Sequence, residues 1–275
     1  MAQVHQSATR RGGWLAEAGD AVVSILFPAG CQLCEGLLTR SSRVPICDAC
    51  LDSFTPIQGR ICEICGATFQ TSFGTSESQE TEGDSRPDQQ VCRTCSTRPY
   101  AFSRARSYAR YEEKLVRAIV TLKFERIEPL GKWFADRLAG VITAGGDELR
   151  ADVVVPVPLH RQRLRERGYN QAELIAKPLA RRLGLPCQAV LLTRTRPRPD
   201  KHVLTSKERW ASVRGAFATR PGSQVDNLRV LLVDDVMTTG ATLDACAKAL
   251  QAAGAKSVVA VTVARAELHP ADDFE

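Results

Sequence analysis

The sequence predicts an α/β fold, a mostly parallel sheet flanked by helices, preceded by a small cysteine-rich module. Three observations carry this. From about residue 108 onward, short apolar β-forming runs alternate with segments of helical period. One run, Val230–Val233, passes directly into two carboxylates and a Thr/Gly loop. Eight of the ten cysteines form four C-x-x-C pairs between residues 31 and 95. A chain of 275 residues is long enough for one well-buried core and an appended module, and 44% apolar with 25% charged residues is ordinary globular composition.

Taken in order, residues 1–27 form a tail and a short amphipathic helix. Trp14, Leu15, Ala18, Val22, Ile25 and Leu26 recur near helical spacing, and Glu17 and Asp20 on the polar side favour core packing over membrane contact. Arg10-Arg11 and the apolar run before Pro28-Ala29-Gly30-Cys31 resemble an export leader. However, Glu17 and Asp20 interrupt the run, and Pro28 stands where a lipobox needs an aliphatic residue. No segment approaches transmembrane length, so a cytoplasmic location without membrane insertion is expected.

Residues 28–100 hold the paired cysteines Cys31/Cys34, Cys47/Cys50, Cys62/Cys65 and Cys92/Cys95. Two thiolates spaced C-x-x-C on a tight turn can face one ion, and two such turns complete a tetrahedral set, so two structural Zn²⁺ ions are expected. Rubredoxin-like iron is the alternative, and a disulfide framework conflicts with the expected compartment. Twelve residues separate the first two pairs and twenty-six the last two. Sequential pairing is preferred over crossed pairing, which spacing leaves open. Within the longer gap, residues 71–90 are polar, acidic and poor in apolar side chains, and read as a disordered insertion. Cys246 shares a helical face with Leu243, Ala249, Leu250 and Ala253 and reads as core.

Residues 101–275 supply the α/β elements. Helices are expected over Tyr111–Phe124, Leu130–Val141, Ala172–Leu183 and Thr242–Ala253, and strands over Asp152–Val157 and Ser257–Ala264. The latter strand should lie beside the run that begins at Val230. Arg229–Thr242 reads RVLLVDDVMTTGAT. A buried parallel strand ends in Asp234 and Asp235, and the loop Val236, Met237, Thr238, Thr239, Gly240, Ala241 leads into a helix at Thr242. Ligands of open α/β sheets sit beyond such strand ends. The loop offers amides, hydroxyls and a helix dipole to one phosphate. Paired carboxylates are acceptors suited to vicinal sugar hydroxyls, and without a ligand they repel. Together these features describe a ribose-5-phosphate site, with Asp234 and Asp235 as its catalytic or ribose-holding acids. The stretch resembles the phosphoribosyl-pyrophosphate (PRPP) motif of type I phosphoribosyltransferases.

Charge is unevenly distributed. Residues 160–220 contain fifteen Lys/Arg against four Asp/Glu, a local +11 in a chain of net +6, which leaves −5 elsewhere. Such a segment suits polyanions. The Pro156–Gln171 loop reads as a pyrophosphate clamp, with Pro158, His160, Arg161, Arg163 and Arg167 at the same sheet edge as the acidic pair. Arg194–Arg214 reads as a mobile flap able to close with Lys201 or Arg198.

The whole order is Pro-Ala-Gly-Cys, four C-x-x-C knuckles, VVPVPLH, RLRERGYNQ, ERWxSVRGAF and VLLVDDVMTTGATL. From about Leu26 to Arg265 it resembles the ComF family of bacterial competence proteins. That resemblance implies a type I phosphoribosyltransferase fold behind a double zinc ribbon, and PRPP or a related ribose phosphate as ligand with Mg²⁺. It also implies a role in DNA uptake during natural transformation, with single-stranded DNA and the competence helicase or uptake proteins as partners. The chain departs from the family pattern at Lys201, usually Gln, and at Ser212, usually Asn. Thr238 occupies the place of the acidic base of hypoxanthine–guanine salvage enzymes, which disfavours purine salvage. The cysteines of the first hundred residues are committed to metal, which argues against a glutamine-dependent amidotransferase. A second class of function is a non-catalytic adaptor for single-stranded nucleic acid, or a PRPP sensor, using the ribbons and residues 160–220. Aromatic residues, at 6% of the chain, offer no obvious stacking platform for it.

Overall fold

The computed structural model describes residues 30–38, 44–69, 90–197, 199, 205–223 and 225–266. The expected helix Trp14–Phe27, most of the 71–90 insertion, Arg198 and Lys201 lie outside them. Contacts divide the chain into two compact units, Met1–Ser53 and Phe54–Glu275.

In the first unit, an antiparallel bridge joins Gly30 to Leu37 around the Cys31 turn, and a short helix α1 spans Asp48–Asp52. The second unit begins with a similar knuckle, bridged from Ile61 to Thr68, and the helix α2, Arg93–Thr97. The α/β body follows: β1 (Arg104–Arg110), α3 (Glu113–Glu125), α4 (Glu128–Gly145), a 3₁₀ turn, β2 (Val153–Pro156), α5 (Arg161–Arg167) and α6 (Gln171–Leu183). Then come β3 (Leu192–Arg194), α7 (Ser206–Val213), β4 (Phe217–Thr219), β5 (Arg229–Met237), α8 (Ala241–Ala252) and β6 (Ser257–Arg265).

β1, β6, β5 and β2 form one parallel sheet in that order, and β3 and β4 form a separate antiparallel pair. The central strands β5 and β6 are buried along nearly their whole length, as expected for strands covered on both faces. β6 does lie beside β5, in register Val233 to Val261. Both β2 and β5 therefore end at the same sheet edge, β2 stopping at Pro156, whose missing N–H cannot extend the ladder. At the opposite edges Asp152 holds Arg229 through its backbone N–H at 2.8 Å and Nε at 3.0 Å, fixing the start of β5.

One expectation differs from the structure, and two elements were not foreseen. The stretch read as one basic loop contains a helix, α5, opened by His160 and closed by Gly168 at φ 79°. Six of its seven residues are good helix formers with charged or polar side chains, so no apolar period announced it. The stretch read as a flap begins as β3 and ends in the capped helix α7, in which Thr205 and Glu208 bond each other reciprocally. Strand β1 was not anticipated: its inward residues are Ala105, Ser107 and Ala109, too small to give a hydrophobic alternation.

Candidate functional site

A cavity of about 470 Å³ opens at the carboxyl edge of the sheet. Its floor is the end of β5 and the loop beyond it, from Asp234 to Leu243. Its walls come from α3, from the β2–α6 connection and from β3 and α7. All the residues expected to hold ribose phosphate, Asp234 through Thr242, therefore line one space. Of the expected clamp, Pro158, His160, Arg163 and Arg167 line it too, whereas Arg161 does not, and Lys201 is outside the described residues.

The loop is held from behind. The Tyr100 hydroxyl donates to the Thr239 carbonyl at 2.8 Å, and the Arg265 guanidinium donates to the Thr238 carbonyl. The Thr239 hydroxyl accepts from the Ala241 N–H at 3.4 Å. Gly240 sits at φ 76°, and a Cβ there would stand 2.8 Å from Met237 Cε and 2.9 Å from Tyr100 Cε1, so no larger residue fits this turn. No hydrogen bond among the described residues uses the N–H of Thr238, Thr239 or Gly240. Pulling the carbonyls back while leaving these amides unengaged, at the start of α8, produces the donor set a phosphate needs. Asp244, buried in the first turn of α8, accepts from the Ala101 N–H at 2.8 Å and pairs with Lys248, which fixes the helix from the other side.

The acidic pair is buried, Asp234 at 9% and Asp235 at 5% exposed. Asp234 accepts from the Asp235 N–H at 2.9 Å. Burial and the neighbouring Asp235 charge push the Asp234 pKa up to about 8. Asp235 meets Lys123 Nζ at 2.8 Å. Burial works against the Lys123 charge, but the two carboxylates more than offset it, and its pKa rises. Lys123 was missed by the sequence reading. It lies in the last turn of an amphipathic helix, where a lysine has no distinguishing local signal.

The RERGYNQ stretch explains how Lys123 reaches the site. Gly168 closes α5 and turns the chain. The Tyr169 hydroxyl then donates to the Leu122 carbonyl at 2.9 Å and accepts the Arg126 N–H at 2.8 Å, which clasps the C-terminus of α3. Asn170 caps α6 through the Ala172 N–H and donates to the Val157 carbonyl at 3.0 Å. Arg167 donates to Gln171 at 2.6 Å and lies over the Phe124 ring. Two of these side chains thus position others, and two face the cavity. Arg194, Arg209 and Ser212 from the expected flap and Gln171 from the end of the clamp loop also line the cavity, together with Tyr111 and Phe124, to which the sequence assigns no role there. Four arginines, Arg163, Arg167, Arg194 and Arg209, surround the space. They supply cationic forks suited to a polyphosphate.

The cysteines form two sequential tetrads, Cys31, Cys34, Cys47, Cys50 and Cys62, Cys65, Cys92, Cys95, with the sulfurs of each within 4.8 Å of one another. Backbone N–H groups point at sulfur: Leu33 and Cys47 at Cys31, and Cys92 at Cys62 at 3.3 Å. Such N–H···S contacts offset thiolate charge, and four cysteines in one shell fit tetrahedral zinc.

No described helix is long and apolar enough to cross a membrane. The family described as a double zinc ribbon domain matches residues 22–96, and that described as a phosphoribosyl transferase domain matches residues 170–273. The DNA utilization protein YhgH of Salmonella typhimurium is 32% identical over 171 residues, 61% of this chain and 74% of that protein. Competence protein F of Haemophilus influenzae is 34% identical over 116 residues, 42% of this chain and 51% of its own length. Competence protein ComFC of Bacillus subtilis is 28% identical over 221 residues, 80% and 84% of the two chains. With two zinc-ribbon tetrads ahead of a parallel sheet that ends in a phosphoribosyltransferase loop, the chain belongs to the ComF family.

Proposed function

We propose that the protein binds PRPP, or a closely related ribose phosphate, at the Asp234–Thr242 loop, and acts in the use of incoming DNA. The observation that supports this best is the buried Asp234–Asp235 pair beside unengaged loop amides, in a cavity surrounded by four arginines. In this reading Asp234 and Asp235 accept from the ribose hydroxyls and Thr238–Thr242 hold the 5-phosphate. Arg163 and Arg167 face the diphosphate, with His160 and Pro158 shaping the rim. Mg²⁺ is held chiefly by diphosphate and ribose oxygens rather than by a protein cage. The DNA role is carried over from the names of the relatives.

If the bound molecule reacts, the step is displacement at the anomeric carbon, an acceptor forming the new bond as pyrophosphate departs with the bonding pair. The arginines stabilise the negative charge that develops on the leaving group. Lys123 holds and orients Asp235 through their 2.8 Å ion pair, so the carboxylate is placed to accept. Thr238 offers no base, so the acceptor must arrive deprotonated or lose its proton elsewhere.

The test is calorimetric titration of PRPP with Mg²⁺ into zinc-loaded protein, beside the Asp234→Ala/Asp235→Ala variant. Saturable binding that the variant loses supports the site. A folded, zinc-replete wild type that does not bind removes the proposal and leaves the DNA-binding adaptor in front.

A further inference from the structure

Arg265, the last residue of β6, is 5% exposed. Its guanidinium reaches in two directions. Nη1 donates to the Thr238 carbonyl of the phosphate loop, and Nη2 stands 3.6 Å from Cys65 Sγ of the second tetrad. Among the described residues it makes no ion pair with a carboxylate. A buried guanidinium needs a compensating anion. Here the available anion is the tetrad, because four thiolates around one divalent ion carry a net double negative charge. If the metal leaves, nothing gathers the four sulfurs at one centre, and Cys65 is no longer held against the Arg265 guanidinium. Arg265 then loses its partner on one side while its other arm still holds the loop.

A second tie runs in parallel. Tyr100, which follows the last cysteine of the tetrad by five positions, donates to the Thr239 carbonyl, the next carbonyl along the loop. Its ring stacks on Phe102 at 4.5 Å, so it is held in place independently. The two carbonyls that shape the phosphate loop are therefore both tied to groups adjoining the second ribbon.

We propose that metal binding at Cys62, Cys65, Cys92 and Cys95 is thermodynamically coupled to anion binding at the Thr238–Thr242 loop, with Arg265 as the positioning residue that carries the coupling. The inference rests on the ribose-phosphate reading of the loop and concerns its regulation. Coupling of this kind is reciprocal: whatever factor the metal adds to ligand affinity, the ligand adds to metal affinity. Zinc supply then sets how well the protein holds its anion, and the anion protects one zinc ion from extraction.

The experiment uses full-length, zinc-loaded protein and a zinc-selective chromophoric chelator that leaves Mg²⁺ in place. Zinc release is timed with and without saturating PRPP and Mg²⁺, and PRPP affinity is measured separately by calorimetry. The expected result is that one of the two zinc ions leaves about tenfold more slowly with PRPP present, while the other is unaffected. Arg265→Lys retains the charge, but a single ammonium cannot span both the carbonyl and the sulfur. This variant should keep both zinc ions, lose about tenfold in PRPP affinity, and lose the protection. A wild type that binds PRPP yet releases both ions at unchanged rates overturns the coupling. So does a zinc-replete Arg265→Lys protein that binds PRPP and is protected as the wild type is. If that variant does not fold, the wild-type release rates decide alone. Absence of PRPP binding to zinc-replete wild type is the distinct outcome that removes the site reading, and the coupling falls with it.

Discussion

The two cysteine tetrads share ligand type and C-x-x-C spacing, yet they are embedded differently. The first stands in the small unit Met1–Ser53, with Cys34 exposed and Cys47 half-buried. Its thiolates are met by backbone amides of their own turns. The second lies inside the unit that carries the ligand loop, and Cys62, Cys65 and Cys95 are buried in that unit's core. Its knuckle approaches β1 so closely that a Cβ at Gly66 would stand 2.8 Å from the Ala105 carbonyl. It also receives a side-chain donor from β6, Arg265. A repeated motif therefore need not repeat a role. One tetrad closes a module, and the other is built into the core of the unit that carries the cavity.

The sharpest way to break this comparison is to remove one metal at a time. Cys62→Ser/Cys65→Ser should cost the larger unit on the order of 5 kcal/mol or more, since structural zinc contributes folding free energy directly. Cys31→Ser/Cys34→Ser should lose one zinc and leave the main thermal transition of the larger unit near its original midpoint. Zinc content and melting curves check both. Equal losses from the two variants would erase the distinction.

A smaller effect is expected within the ligand unit. Asp235→Ala should weaken ribose-phosphate binding by about 1.5–3 kcal/mol, the value of charge-assisted hydrogen bonds, and it leaves Lys123 without its partner. Calorimetry on the zinc-loaded variant measures this.

Asp234 gives a pH-dependent prediction. Its folded pKa is raised to about 8 from an ordinary 3.8, so the folded state binds the proton more tightly than the unfolded chain does. The ionised carboxylate therefore destabilises the ligand-free fold. That penalty is absent below pH 4, grows as pH rises, and is complete above about pH 8. Asp234→Asn should be more stable than wild type at pH 9, by a few kcal/mol at about 1.4 kcal/mol per pKa unit, and the difference should vanish toward pH 4. Urea denaturation at pH 5, 7 and 9 tests the sign, and a stabilisation that grows as pH falls would refute it.

The smallest effect is at Tyr169. Tyr169→Phe removes two hydrogen bonds from the C-terminus of α3 at a cost of about 1–3 kcal/mol in stability. Because that terminus carries Lys123 and Phe124, PRPP affinity should fall modestly in the same variant. Loss of stability with unchanged affinity would show that the clasp is structural alone.

Much of the site could be read from the chain before any coordinates. A parallel strand, an acidic pair, small loop residues and a helix start are contiguous, so their geometry is local and the spacing alone fixed it. The cysteine ligands were legible for the same reason, since C-x-x-C places two sulfurs on one turn. Arg163 and Arg167 could be placed at the right edge because they follow a strand of the same sheet. Helix α5 could not be read, because a seven-residue polar helix has no apolar face to give it a period.

Sequence alone therefore determined the fold class, the metal ligands and the floor of the cavity, each set by residues a few positions apart. Only the tertiary structure decided the walls. Lys123 meets Asp235 across 112 positions, Arg265 stands between Cys65 and Thr238, and Tyr100 reaches Thr239. These pairings depend on how parallel strands order themselves and on which helix crosses the sheet edge. Spacing along the chain does not record such partners; they are fixed when burial leaves a charge or a carbonyl needing one.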